Sequence, residues 1–99
     1  MKYIIVGMGN FGSYLAKRLT DLGHEVVGVD NSESKIEQIK DHVTYAIALN
    51  ATDQHAVHSL PMKDVDVIII AIGEDVGASI MATAIFKQLK TKRIIGRAI

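Results

Sequence analysis

The 99-residue chain contains no cysteine, which excludes disulfides, thiolate-ligated metals and cysteine nucleophiles. It has no net charge, with Lys+Arg and Asp+Glu each numbering 11, so the basic footprint of a general nucleic-acid binder is missing. Its longest apolar run, Val67 to Ile72, falls far short of the ~20 residues that span a bilayer. No export leader is visible, because Met1 leads directly into a strand-like run. A soluble intracellular protein is therefore the expectation. There is no Gly-x-Ser-x-Gly elbow for a serine nucleophile. Linkers, low-complexity stretches and internal repeats are also lacking.

What is present is regular. The chain is 48% hydrophobic and 22% charged, a globular balance, and its length suits one domain over residues 1–99. Two periods alternate along it. Lys2 to Val6 (KYIIV) is a buried strand. Phe11 to Leu22 is helical, with Phe11, Leu15, Leu19 and Leu22 as the inward stripe and Gly23 at the C-cap. Glu25 to Val29 is a second strand, ending at Asp30. Asn31 or Ser32 then caps a short helix whose inner face is Ile36 and Ile39. Val43 to Leu49 is a third strand, and a short helix carrying Ala56, Val57 and Leu60 ends before Pro61. Asp66 to Ile72 is a fourth strand. Val76 to Lys90 is a helix with Met81, Ala84, Ile85 and Leu89 inward, and Arg93 to Ile99 is a fifth strand. Strands alternating with helices predict an α/β fold, a Rossmann-like doubly wound parallel sheet of five strands. The last helix and strand of a complete fold of that kind are missing, so an exposed apolar edge is expected.

The most informative stretch is "VGMGNFGSYLAKRL", Val6 to Leu19. Three glycines, Gly7, Gly9 and Gly12, stand between a strand and a helix. Alone, such a pattern need only make a turn. Here an acid, Asp30, ends the next strand eighteen positions after Gly12, close to the ~20 expected of a ribose-binding residue. Gly7 lets the chain turn out of the strand, Gly9 lets a phosphate approach the backbone, and Gly12 lets the helix pack closely. The helix N-terminus offers free N–H groups to an anion. Asp30 would accept hydrogen bonds from the ribose hydroxyls and repel a 2′-phosphate, so rejection of NADP-type ligands is expected.

Other features carry less. His55 and His58 have metal-compatible spacing but no third ligand nearby, and read as a surface pair. Met8 and the other methionines read as packing fillers. Glu74 and Asp75 admit two readings: acids favoured at a helix start, or groups that meet the far end of a ligand or a cation beside a phosphate. Lys87, Lys90, Lys92, Arg93 and Arg97 read as a solvated face. A dehydrogenase needs a substrate region and an acid/base beside the nicotinamide, for which this length leaves no room. The alternative function is the cofactor-binding fragment of an NAD-dependent oxidoreductase.

The segments "KYIIVGMGNFGSYLAKRLTDLGHEVVGVDNSESKIEQI", "ALNATD" and "DVIIIAIGEDVGASIMATAIFKQL" resemble the N-terminal lobe of RCK or KTN domains, found in Trk/Ktr-type potassium uptake systems and on ligand-gated potassium channels. The resemblance covers essentially the whole chain. It implies a sensor, not an enzyme, that binds NAD(H) or an adenine nucleotide (ATP, ADP or AMP). Such a domain forms a homodimer or larger ring and controls a membrane potassium channel or transporter subunit from the cytoplasmic side, with no nucleic-acid partner. By matching position, Gly7, Gly9 and Gly12, with Met8, Asn10 and Phe11, would line the phosphates. Asp30 would hold the ribose, with Asn31 and Ser32 beside it. Asn50 and Ala51 would flank the adenine, and Gly73 and Glu74 would lie toward the phosphate or nicotinamide end. Many members carry arginine where Asn10 stands and aspartate where Asn50 stands. The first departure favours a diphosphate or dinucleotide over a triphosphate.

Overall fold

The computed structural model describes residues 1–73, 75–89 and 93–96. Five parallel strands form one sheet: β1 (Lys2–Val6), β2 (Glu25–Asp30), β3 (Tyr45–Ala48), β4 (Val67–Ile70) and β5 (Arg93–Gly96), in the order β3-β2-β1-β4-β5. Four helices connect them: α1 (Asn10–Asp21), α2 (Glu33–Ile39), α3 (Gln54–His58) and α4 (Val76–Lys87). A short 3-10 turn, Lys40–His42, extends α2 and has no distinct sequence signal.

Parallel strands have to be buried on both faces, which is why these segments are apolar runs without alternation. Two core clusters result. One packs Ile4, Val6, Val27, Val29, Ile68 and Ile70 against Val57 of α3 and Ala82, Ile85 and Phe86 of α4. The other packs Ile5, Val26, Val67 and Ile69 against Ala16 of α1 and Ile36 and Ile39 of α2. Helices α1 and α2 therefore cover one face and α3 and α4 the other, the result of right-handed crossovers running in opposite directions from β1. The register pairs Val6 with Val29 and with Ile70, and Asp30 with Ala48. All the carboxyl ends thus meet at one edge, and the strand order reverses between β1 and β4.

Helix faces differ from the sequence expectation in two places. On α1, Leu15 and Leu19 pack against the core, but Phe11 and Leu22 are exposed; the buried residues are Gly12 and Ala16. The smallest residues form the seam because the helix lies so close to the sheet. A Cβ on Gly12 would overlap the Gly7 carbonyl oxygen. On α4, Met81 and Ala84 are exposed, and the inward residues are Ala82, Ile85 and Phe86, with Leu89 packed beside them. Strands β3 and β4 are shorter than Val43–Leu49 and Asp66–Ile72. Ile95 on edge strand β5 is 44% exposed, and Val76, Ile80 and Met81 add apolar surface on α4. Of the basic cluster, Lys87 is exposed on α4, while Lys90, Lys92 and Arg97 lie outside the described residues. The final residues of the predicted fifth strand, 97–99, lie outside them too.

Candidate nucleotide-binding site

A cavity of about 670 Å³ opens at the carboxyl edge of the sheet, over the point where the strand order reverses. That is where open α/β sheets place their ligands, and the volume suits a small-molecule pocket.

The turn after β1 is built by its glycines. Gly7 has φ +105°, a conformation that side chains rarely adopt, and a Cβ there would also meet the Ala71 carbonyl oxygen at 2.8 Å. Gly9 differs: nothing lies within 4 Å of where its Cβ would be, so the missing methyl leaves open space at the cavity wall. Gly9 is also the N-cap of α1 and supplies no side-chain hydrogen bond, and the first turn holds no acid. The other three helices start differently. Ser32, Asp53 and Asp75 each accept hydrogen bonds from backbone N–H groups of the first turn. Gly9 therefore starts α1 without a capping side chain of its own, and the positive end of the helix dipole faces the cavity.

Asp30 stands beside this turn at the end of β2. Its Oδ2 accepts the Met8 N–H at 2.7 Å and its Oδ1 accepts the Ser32 N–H at 2.8 Å. One carboxylate thus fastens the glycine turn to the start of α2. Each oxygen retains a lone pair, so a ribose hydroxyl can still donate to it. Beyond β3, Asn50 Oδ1 accepts from Thr52 N–H at 2.9 Å and from Thr52 Oγ1 at 2.6 Å, closing a local turn and leaving its amide NH₂ as a donor.

Nine of the residues expected at the site line this cavity together: Gly7, Gly9, Asn10, Phe11, Asp30, Asn31, Asn50, Ala51 and Gly73. Three do not. Met8 is 4% exposed and packs into the α1/α2 layer, its Sδ 3.1 Å from where a Cβ of Gly28 would be. Gly12 is buried under the turn, and Ser32 is occupied as a cap. Glu74 lies outside the described residues. The lining also includes Lys35, Leu49, Thr52, Ile72, Asp75 and Ala78. Of these, Asp75 reads in the sequence as an acid that either starts a helix or meets the far end of a ligand, and it caps α4; the others carry no sequence signal for the site. His55 and His58 are exposed on α3, away from the cavity, and no group of three His, Cys, Asp or Glu that could hold a metal occurs among the described residues.

The TrkA-N domain model matches residues 3–99 of the chain. The chain belongs to the TrkA-N domain family. "Ktr system potassium uptake protein A" of Vibrio alginolyticus is 38% identical over 93 residues, 94% of this chain and 42% of that protein. The TrkA-N chain spans less than half the length of the curated relatives it matches. Among solved structures, the NAD(P)-binding domain of an exopolyphosphatase-related protein from Archaeoglobus fulgidus is 28% identical, with a TM-score of 0.86 over 97% of this chain and 71% of that one. The Kef C-terminal domain of Shewanella denitrificans in its AMP-bound form superimposes with a TM-score of 0.80 at 23% identity, covering 100% of this chain and 60% of that one, which speaks to the fold alone. The TrkA-N chain is thus a Rossmann-like, NAD(P)-binding-type fold related to components of potassium uptake systems. Among its described residues, no helix is long and apolar enough to cross a membrane.

Proposed function

We propose that this TrkA-N domain is a non-enzymatic sensor that binds NAD(H) or an adenine nucleotide and controls a potassium channel or uptake transporter. The observation that carries the reading is the α1 N-terminus. Its N-cap residue, Gly9, carries no side chain, its positive dipole end faces the cavity across the space Gly9 leaves, and it stands beside the Asp30 carboxylate. The phosphates sit on the N–H groups of the α1 turn, Asp30 and Asn31 take the ribose, and Asn50 and Ala51 flank the adenine. Gly73, with Glu74 next in the chain, lies toward the phosphate or nicotinamide end.

Lys35 is the one cationic side chain lining the cavity among the described residues, and Asn10 adds no charge. That favours mono- and diphosphates and dinucleotides over ATP. Control follows from differential affinity. A nucleotide that binds one state of a dimer or ring better stabilises that state, and the coupling is limited by the difference. The domain works on the cytoplasmic side, attached to the membrane through its transporter partner. The relatives' names as potassium uptake proteins and the likeness to an NAD(P)-binding domain support the reading. Calorimetric titration with NADH, ADP, AMP and ATP tests it. Binding of at least one is expected, with ATP weaker than ADP, and binding of none removes the proposal.

A further inference from the structure

A second cavity of about 290 Å³ shares Gly9, Asn10 and Lys35 with the first and lies on the α1/α2 side of the glycine turn. Ser13 and Lys17 of α1 and Lys35 and Gln38 of α2 surround it, and the buried side chains of Met8 and Ile39 close its inner side. Among the described residues no carboxylate lines it. Among the described residues, neither the Lys17 nor the Lys35 ammonium has an ion pair or hydrogen bond. Two ammonium groups around one cavity repel each other, and an anion between them converts that repulsion into two attractions.

The position of this cavity decides which anion. In doubly wound sheets the acid that ends the second strand meets the 2′ hydroxyl of the adenosine ribose and a cation close by accommodates a 2′-phosphate; Lys35, on the helix after Asp30, lines both cavities. Asp30 by itself would repel a phosphate there. Asp30 does not line this cavity, however, whereas Lys17 and Lys35 both do, so two cationic groups face one carboxylate held outside it by the Met8 and Ser32 N–H groups. We infer that the second cavity is a subsite for a phosphate carried on the adenosine ribose, so that 2′-phosphorylated nucleotides such as NADP(H) are accepted alongside NAD(H). The inference rests on the nucleotide reading above, and it reverses the rejection expected from Asp30 alone.

Calorimetry with NAD⁺ and NADP⁺ on the wild type and on the Lys17→Gln/Lys35→Gln double variant tests it. Both lysines are exposed, so the variant keeps its fold, which thermal melting checks. In the wild type the NADP⁺ dissociation constant is expected within about tenfold of that for NAD⁺. In the double variant the loss for NADP⁺ exceeds that for NAD⁺ by about tenfold or more, on the scale of two charge-assisted contacts. Inorganic phosphate competes with NADP⁺ more strongly than with NAD⁺. NAD⁺ binding with NADP⁺ weaker by more than that tenfold overturns this inference and leaves the nucleotide reading standing, as does a smaller or equal loss in the double variant. Failure of both dinucleotides in the wild type removes the nucleotide reading and this inference together.

Discussion

Replacing Gly9 by alanine separates binding from folding more cleanly than any other change in this chain. The φ of Gly9 is −71°, which alanine adopts without strain, and nothing lies within 4 Å of the added Cβ. Two effects on stability nearly cancel. Alanine loses less chain entropy on folding, worth about 0.4–1 kcal/mol, while at an N-cap it is a poorer residue than glycine by a similar amount. The net change should stay within about 1 kcal/mol, or roughly 4–8 °C in Tm for a domain this size. Binding responds differently, because the new methyl occupies the approach of the phosphate to the α1 N–H groups. Weakening by about tenfold to a hundredfold is expected, or ~1.4–2.8 kcal/mol. The assay is calorimetry with ADP on wild type and Gly9→Ala, with melting curves on the same samples. Unchanged affinity at unchanged stability would refute phosphate placement over this turn.

Further changes probe the same chemistry. Gly12→Ala should lower stability by about 3 kcal/mol or more, since the added Cβ overlaps the Gly7 carbonyl and pushes α1 off the sheet; denaturant titration reads it. Asp30→Ala should cost about 2–3 kcal/mol from the Met8 and Ser32 N–H groups it leaves unpaired, and weaken ADP binding about tenfold or more; full stability in urea or unchanged affinity would contradict its double role. Phe86→Ala, at a fully buried position between α4 and the sheet, should cost about 3–5 kcal/mol with little effect on affinity in the folded fraction.

Strands β1, β2 and β4, the glycine turn and the acid closing β2 were legible in the sequence. Buried parallel strands are uniform apolar runs, and Gly7 and Gly12 occupy positions where a side chain does not fit. The inward face of α4 was half legible: Ile85 and Leu89 pack inward as expected, but Met81 and Ala84 do not, because Val76, Ile80, Met81, Ala82, Ile85 and Phe86 are apolar on every side of the helix and offer no contrast for a period to detect. The α1 stripe held at Leu15 and Leu19 and misled at Phe11 and Leu22 for a different reason: close packing on the sheet selects small residues, Gly12 and Ala16, and leaves Phe11 at the cavity mouth. Nine expected residues line the cavity because the motif and the strand ends sit at fixed places in a doubly wound sheet. Lys35, Thr52 and Ala78 reach it from three separate connections, and no local pattern links them.

The most direct measurement is an amide chemical-shift titration of the ¹⁵N-labelled chain with ADP and, separately, with adenosine. The account predicts that ADP moves the Gly9, Asn10 and Gly12 amides most, together with those that Asp30 holds at Met8 and Ser32, and that adenosine moves the α1 amides little. A site elsewhere on the surface, or equal shifts at α1 from the ligand without phosphates, would contradict it.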